Sequence, residues 1–233
     1  MQHLLLLHGA LGAAATLQPL QALLAPYYHT YTLNFTGHGG LPFSDAPFRI
    51  EQFAEDVLLY LDQHNLQQAD VFGYSMGGYV ALYLALHHPT RIRSIFTLAT
   101  KFAWSPESAS KEVKLLQPEK IEEKVPQFAA TLAERHGPQH WKEVVRKTAE
   151  MMQHLGEQPL LTKDTLPLVN ARVQVSVGDR DNMVSIEETA GAYRLLQEGS
   201  FLVLPNTRHP LEFVTPQRLV QEALQFFGQN YVP

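Results

Sequence analysis

The sequence of 233 residues predicts an α/β fold with a mostly parallel sheet of about six strands flanked by helices. Two patterns indicate this fold. Short, nearly continuous apolar runs recur along the chain, as in parallel strands that are buried on both faces. Helical stretches separate these runs, and strands that alternate with helices imply right-handed crossovers within one sheet. The predicted strands are 2–7, 30–35, 69–74, 94–100, 173–178 and 200–204.

The helices between the strands have their own signals. Apolar residues in 51–64 recur at helical spacing and predict one buried face. Ser185 and Glu188 match a capping box, which predicts a helix that runs to about residue 197. Thr215 followed by Pro216 is typical of an N-cap and a first-turn proline, so we expect the last helix to begin there.

Residues 101–170 interrupt the alternation of strands and helices. They hold ten of the 18 Lys and Arg residues and ten of the 23 Asp and Glu residues. Helical spacing predicts one apolar face made of Ile121, Val125, Phe128 and Leu132 and another made of Trp141, Val144, Val145, Thr148 and Met152. We therefore predict that 101–170 forms a helical cap inserted into a core made of 1–100 and 171–233. The alternative is an ordinary long crossover, which usually needs only one helix.

Composition excludes several classes of function. The net charge of −5 argues against nucleic-acid binding, and the absence of cysteine excludes disulfides, thiolate nucleophiles and Cys-ligated zinc. The longest apolar run is too short to span a membrane. The apolar N-terminus lacks the basic residues of a signal peptide, since the first Lys or Arg is Arg49, so a buried strand is expected there. These features predict a cytoplasmic protein.

A metal site is not expected either. His136 and His140 have the spacing of two ligands on one helix face, but Gly137 and Pro138 lie between them. The glycine-rich loop at 34–40 lacks the lysine of a phosphate-binding loop. The sequence therefore predicts no metal and no cofactor, with a small molecule as the partner, and it does not indicate the oligomeric state.

The strongest chemical signal is the pentapeptide Gly73-Tyr74-Ser75-Met76-Gly77, which matches G-x-S-x-G. It comes directly after a predicted strand and continues into a helical stretch. A turn of this kind is sharp, so glycines two residues before and after the serine avoid collisions. The context predicts that Ser75 is a nucleophile exposed at the carboxyl end of the sheet, where α/β proteins bind ligands.

A serine nucleophile needs a base, and the base needs a carboxylate that orients it. Among eleven histidines, only His209 follows residue 154, and it lies in the loop between the last strand and the last helix. Two acids follow the strand before it. We favour Asp181 as the partner of His209, because it lies deeper in the loop than Asp179.

The transition state also needs hydrogen-bond donors for a developing oxyanion. Gly9 follows the first strand and lets the chain turn back over the nucleophile, so we expect the backbone N–H groups of Ala10 and Met76 to face the site. His8 is expected to be structural, with a hydrogen bond inside this loop. Phe102, Trp104, Phe213 and Leu11 flank the predicted site and are candidates for an apolar substrate pocket.

Together these motifs resemble the α/β-hydrolase superfamily over essentially the whole chain. The resemblance implies that Ser75 is the nucleophile, Asp181 the acid and His209 the base, with Ala10 and Met76 as oxyanion donors. Because the chain begins at the strand before the H-G loop, the resemblance also predicts that the first two strands of the family are absent. Superfamily members that hydrolyse haloalkanes or epoxides use Asp at the nucleophile position. Ser75 therefore argues against both of these activities.

Three functions remain open on the sequence. The first is a serine hydrolase that cleaves a small, hydrophobic ester or thioester through an acyl-enzyme. The second is a C–C bond hydrolase or a lyase with the same triad, since one oxyanion hole serves an enolate as well as a tetrahedral intermediate. The third is a ligand-binding protein that has kept the fold without catalysis.

Overall fold

The computed structural model describes residues 1–228 and contains one six-stranded sheet. The strands are β1 His3–Leu7, β2 His29–Thr32, β3 Ala69–Tyr74, β4 Ile92–Leu98, β5 Arg172–Gly178 and β6 Gly199–Leu204. Their order across the sheet is β2-β1-β3-β4-β5-β6, and each neighbouring pair is parallel. The predicted fold class is therefore confirmed.

The helices of the described residues fall into three groups. Those that cover the sheet are α1 Gln18–Leu24, α2 Ile50–Gln63, α3 Met76–His87, α8 Ile186–Leu195 and α9 Pro216–Phe227. Those that lie between β4 and β5 are α4 Pro106–Val113, α5 Pro118–Lys124, α6 Pro126–His136 and α7 His140–Glu157. The rest are single 3-10 turns at Ala14–Leu17, Leu166–Leu168 and Leu211–Phe213.

The sheet is buried on both faces, because side chains along a strand point alternately to opposite sides. In β1, Leu5 and Leu7 belong to the core under α2, α3 and α8, whereas Leu4 and Leu6 belong to the core under α1 and α9. Helix α3 is enclosed almost completely. Within residues 1–228, no helix combines the length and the apolar composition needed to cross a lipid bilayer.

Two predicted strands end earlier in the structure than the sequence indicated. Strand β2 stops at Thr32, and Leu33 and Phe35 are buried in the loop that follows. Strand β4 stops at Leu98 because Ala99 has a φ of 56°, a left-handed conformation that ends an extended strand. Apolar character predicted the burial of these residues, but it did not distinguish a strand from a buried loop.

Residues 101–170, which we call the helical segment, contain α4 to α7, and the described chain has no strand there. One predicted helix face is wrong. Ile121 lies in α5, whereas Phe128 lies in α6, and the two helices meet at Val125 and Pro126. Proline lacks an N–H and disfavours helical geometry in the residue before it, so the helix breaks and Val125 is 49% exposed.

Candidate active site

Ser75 lies at the turn between β3 and α3, and its backbone is strained. Its φ of 51° and ψ of −115° lie in a region that L-residues avoid. Hydrogen bonds of its N–H and carbonyl groups hold it there. The Ser75 N–H donates to the Leu98 carbonyl at 2.7 Å, and the Ser75 carbonyl accepts from the Gly78 N–H and from Thr100 Oγ1, both at 3.0 Å. The turn therefore presents the hydroxyl at the carboxyl end of the sheet.

The glycines around Ser75 are required by space. A Cβ on Gly73 would lie 2.5 Å from the Gly78 Cα, and a Cβ on Gly77 would collide with the carbonyl oxygen of Leu7 in β1. A Cβ on Gly9 would lie 2.8 Å from the ring of Tyr74. The glycines thus let the loop after β1 and the start of α3 approach the serine closely.

The side chains of Ser75, His209 and Asp181 form a hydrogen-bonded chain. Ser75 Oγ lies 3.4 Å from His209 Nε2, and His209 Nδ1 lies 2.8 Å from Asp181 Oδ2. The Asp181 side chain is fully buried, and its other oxygen accepts the N–H groups of Met183 and Val184 at 2.8 and 2.9 Å. With its Nδ1 proton directed at the carboxylate, a neutral His209 presents an unprotonated Nε2 to the serine.

Asp179, the rival acid in the sequence, does not contact His209. Its Oδ1 accepts the Thr207 N–H at 3.1 Å. Backbone hydrogen bonds from Asn206 and Thr207 hold the pKa of this carboxyl below its usual value. Asp179 therefore ties the histidine loop to the end of β5, while Asp181 reaches the imidazole.

Sequence reasoning missed the role of Tyr74, the residue before the serine. Its hydroxyl donates to the backbone carbonyl of His209 at 3.0 Å, and its ring lies 5.8 Å from the imidazole. Burial raises the pKa of Tyr74, so the phenol stays protonated and can donate. The x of a G-x-S-x-G motif has no fixed residue type, which explains why the pattern did not indicate this contact.

The two predicted oxyanion donors lie beside the serine. Ala10 and Met76 both line the cavity that contains Ser75 and His209. Met76 is the first residue of α3, where backbone N–H groups have no partner within the helix. Across residues 1–228, neither of these two N–H groups donates to another protein atom. Both are thus available to an oxygen in the cavity.

The cavity at Ser75 has two branches. The narrow branch encloses about 450 Å³, its open mouth included. Residues that line this branch but not the other include Ile50, Tyr79, Met151, Leu155 and Val184. The wide branch measures about 1100 Å³ by the same measure, and its own lining includes Leu11, Leu115, Leu116, Phe128 and Arg135. Both branches touch Ala10, Ser75, Glu112, Met152, Met183 and His209. The serine therefore lies where they meet.

Two of the four predicted pocket residues are placed elsewhere. Phe102 is buried in the core beneath α2 and α3, and its N–H donates to Glu188 at 2.9 Å. Phe213 lies in a 3-10 turn and is 62% exposed. Its ring faces the guanidinium of Arg208. Neither lines a branch in the described part of the chain, whereas Trp104 lines the narrow branch and Leu11 the wide one.

An ion pair lies at the junction of the branches, and the sequence did not indicate it. Lys101 Nζ is 3.4 Å from Glu112 Oε1 and donates to the Met183 carbonyl at 3.0 Å. Glu112 is in α4, so this pair links the helical segment to the loop that holds Asp181. The two residues are 11 positions apart and on different elements, so only the tertiary structure reveals the pair.

His136 and His140 contact backbone atoms of the core. His136 Nε2 donates to the Leu11 carbonyl at 3.0 Å, and His140 Nε2 donates to the Gly37 carbonyl at 2.9 Å. The four-residue spacing lets the two rings reach two neighbouring loops of the core. Among residues 1–228, no three His, Asp or Glu side chains are arranged so that they could hold a metal ion. The predicted structural role of His8 agrees with the structure, since its Nδ1 donates to the Gly9 carbonyl at 2.8 Å.

Comparison with known proteins agrees with the fold. A family model described as alpha/beta hydrolase fold matches residues 2–150. The chain is 36% identical over 95 residues to a pimeloyl-[acyl-carrier protein] methyl ester esterase of Neisseria meningitidis, and this match covers 41% of this chain and 29% of that protein. It is 33% identical over 93 residues to a probable alcohol acetyltransferase of Wickerhamomyces anomalus, with 39% and 27% covered. The chain therefore spans less than a third of either protein.

A solved structure covers the whole fold. The enol-lactonase from Burkholderia xenovorans superposes with a TM-score of 0.78, and the match covers 98% of this chain and 92% of that chain at 19% sequence identity. At this identity the likeness concerns the fold.

Proposed function

The chain belongs to the alpha/beta hydrolase fold family, and on this premise we propose that it is a serine hydrolase of small carboxylic esters or thioesters. One observation carries the proposal. Ser75 Oγ, His209 and the buried Asp181 form a hydrogen-bonded chain at the junction of two mostly apolar branches. The relatives of the chain include a methyl ester esterase and an enol-lactonase, which supports hydrolysis of an ester.

In the proposed reaction, Ser75 Oγ attacks the ester carbonyl carbon while His209 Nε2 takes the hydroxyl proton. The Ser75–His209 separation of 3.4 Å shortens as the proton moves, as is usual for a site without substrate. The carbonyl oxygen becomes an oxyanion, which the N–H groups of Ala10 and Met76 stabilise. Asp181 holds the imidazole and stabilises the imidazolium that forms.

The tetrahedral intermediate then collapses. The bond to the leaving oxygen or sulfur breaks, and His209 returns its proton to the departing alcohol or thiol. The acyl group remains on Ser75 Oγ. A water molecule takes the place of the alcohol, loses a proton to His209 and attacks the acyl-enzyme, so that the acid is released and Ser75 is regenerated.

The two branches divide the substrate in this proposal. The narrow branch holds the acyl group, because it lies beside Met76 and its own lining is mainly aliphatic and thioether side chains. The wide branch holds the alcohol, because Pro210 and Leu211, which directly follow the proton donor His209, line this branch and not the narrow one. Each methylene added to the acyl chain should contribute about 0.8 kcal/mol of hydrophobic binding free energy until the narrow branch is full.

We also propose that the helical segment acts as a lid over this site. Met151, Met152 and Leu155 of α7 line the narrow branch, and Glu112, Leu115, Leu116 and Phe128 line the wide one. The sheet and its loops supply the reacting groups, whereas 101–170 supplies one wall of both branches. In this division, the lid sets specificity and the rest of the chain performs the reaction.

The test is hydrolysis of p-nitrophenyl esters of increasing acyl length by the wild type, Ser75→Ala and Ser44→Ala. Ser44 is an exposed serine in the loop before α2 and serves as the control. We expect kcat/KM to rise up to about fourfold per methylene and then to fall, and Ser75→Ala to lose about 10⁴-fold or more in kcat. Ser44→Ala should match the wild type.

The same panel separates the other functions. A vinylogous diketone added to the series reports C–C cleavage, and its turnover without ester turnover would contradict the proposal. Ester turnover that Ser75→Ala leaves unchanged would contradict it as well. With a second ester series that varies the alcohol at a fixed acyl group, Met151→Phe should shorten the preferred acyl chain without changing the preferred alcohol, whereas Phe128→Ala should change only the alcohol preference. The opposite result would reverse the assignment of the branches.

A further inference from the structure

Ser75 is not the only residue near the site with a left-handed backbone. The loop 8–12 after β1, which we call the H-G loop, contains another at Leu11. Leu11 has a φ of 57° although it is not a glycine, a left-handed conformation that is unfavourable for a residue with a Cβ. Its side chain does not pack with the sheet. It is buried among side chains of the helical segment, namely Ile121, Ala129, Leu132, Trp141, Val144 and Val145. The helical segment therefore holds the loop residue that directly follows the proposed oxyanion donor Ala10.

The carbonyl of Leu11 is also held by the helical segment. It accepts Arg135 Nη1 at 2.6 Å and His136 Nε2 at 3.0 Å, and both residues lie at the end of α6. His136 Nδ1 accepts the Gly39 N–H at 3.0 Å, which places the imidazole proton on Nε2. Burial lowers the pKa of His136 to about 4, so the ring keeps this arrangement at neutral pH.

These contacts reach Ala10 through two planar peptide units. In a trans peptide the C=O and the N–H point in opposite directions. With the Leu11 carbonyl directed at Arg135 and His136, the N–H of Gly12 points the other way and donates to the Gly9 carbonyl at 3.0 Å. The Gly9 carbonyl is thereby fixed, and the Ala10 N–H of the same peptide unit points away from it. His8 Nδ1 supports the same carbonyl at 2.8 Å.

We propose that Arg135 and His136 are positioning residues that build the oxyanion hole from the lid side. By holding the Leu11 carbonyl they fix the Leu11–Gly12 peptide plane and, through the Gly12–Gly9 hydrogen bond, the Gly9–Ala10 plane, which aims the Ala10 N–H at the substrate oxygen. The inference rests on the proposed function for its catalytic consequence. It implies that the oxyanion hole is complete only while α6 is docked on the H-G loop.

The first test is kinetic and uses Arg135→Met, with Arg135→Lys as the conservative variant. Arg146→Met is the matched control, because Arg146 is another arginine of the helical segment and pairs with Glu119 away from the cavity. If Arg135→Met turns the Ala10 N–H away from the substrate oxygen, kcat should fall about 10- to 100-fold while KM stays within about threefold of the wild type. The affinity for a boronic acid that mimics the tetrahedral intermediate should fall with kcat, and Arg135→Lys should recover part of both.

A loss confined to KM would overturn the proposal, because Arg135 would then bind substrate from the wall of the wide branch. Unchanged kinetics in Arg135→Met would overturn it too. His136→Gln retains a side-chain N–H that can donate to the Leu11 carbonyl, so it should stay nearer the wild type than His136→Leu. Equal losses in these two variants would show that the hydrogen bond is not the cause.

The second test does not depend on hydrolysis. Hydrogen exchange of the intact protein, read on the peptide that spans residues 8–17, should be faster in Arg135→Met than in the wild type or Arg146→Met. Equal exchange would overturn the proposal. If the wild type hydrolyses no ester, the proposed function fails by itself, and the exchange comparison still decides whether the lid holds the H-G loop.

Discussion

Ser75 has a strained backbone and lies between Gly73 and the pair Gly77 and Gly78. Its φ of 51° is held by bonds to Leu98, Gly78 and Thr100, so the folded core bears the cost of presenting the hydroxyl. His209 receives support from both sides, from Asp181 at Nδ1 and from Tyr74 at its backbone carbonyl. Ser75 and His209, the proposed nucleophile and base, are thus each held by hydrogen bonds from neighbouring residues.

The two acids of the loop after β5 should differ sharply when each is replaced by its amide. Asp181→Asn removes the carboxylate that orients His209, and we expect kcat to fall about 10³- to 10⁴-fold with little change in KM. Asp179→Asn weakens only the backbone hydrogen bonds from Asn206 and Thr207, so it should lower the free energy of unfolding slightly and change kcat less than about threefold.

Steady-state kinetics and urea unfolding of both variants check this prediction. A larger kcat loss in Asp179→Asn than in Asp181→Asn would exchange their roles. The sequence favoured Asp181 because of its depth in the loop, and the observed 2.8 Å contact agrees with that preference. Its catalytic role remains a prediction until the variants are measured.

The turn from β3 to α3 depends on close approach, whereas α8 does not. Gly77 allows the start of α3 to lie against the carbonyl oxygen of Leu7, and a methyl group there has no room. A methyl group added to Gly191 in α8 would meet no atom within 4 Å, so this glycine serves no packing purpose. Two glycines in helices of one chain are thus expected to respond oppositely to the same substitution.

We expect Gly77→Ala to lower the free energy of unfolding by about 1–3 kcal/mol through overpacking. Gly191→Ala should raise it by about 0.5–1 kcal/mol, because alanine has the higher helix propensity. Chemical denaturation of the two variants beside the wild type measures both values. Destabilisation by Gly191→Ala, or a neutral Gly77→Ala, would contradict the packing described for these helices.

The strands and helices of the sheet could be predicted because their signals are local. Alternation of apolar runs, the capping box at Ser185 and the Thr215-Pro216 start all correspond to observed elements. The helix break at Pro126 shows the limit, since apolar spacing continued across a proline that ends α5. The hydrogen bond from Arg135 to the Leu11 carbonyl could not be predicted, because the two residues are 124 positions apart.

The junction between the helical segment and the rest of the chain is rich in buried histidines. His8 and His38 come from the core, and His136 comes from α6. Burial lowers the pKa of His8 to about 3 and that of His136 to about 4, and it holds the pKa of His38 well below its usual value. His140 and the guanidinium of Arg135 face the same cluster and further disfavour a positive charge there.

This cluster predicts acid sensitivity. Each ring binds its proton more weakly in the folded state than in the unfolded state, so the unfolded state holds more protons between pH 6.5 and about 4. The stability is fully present above pH 6.5 and is lost as the pH falls through that window. His136→Gln should reduce the slope of unfolding free energy against pH there, whereas replacement of the exposed His64 should not.

Unfolding by guanidinium chloride at several pH values from about 4 to about 8 measures this slope. A wild type whose stability is constant over this range would contradict the buried, neutral state of the cluster. The result matters for the whole molecule, because His136 of this cluster joins the proposed lid to Leu11 of the H-G loop and to Gly39. Acid should therefore loosen the lid and the oxyanion hole together.

Whether Ser75 is the nucleophile of the folded protein is decided by labelling with a fluorophosphonate, followed by intact mass and peptide mapping. We expect one adduct per chain, located on Ser75, which is absent in Ser75→Ala and forms more slowly in Asp181→Asn. Folded wild-type protein that takes up no label, or takes it up on another serine, would contradict a nucleophile at Ser75 and the hydrolase proposed from it.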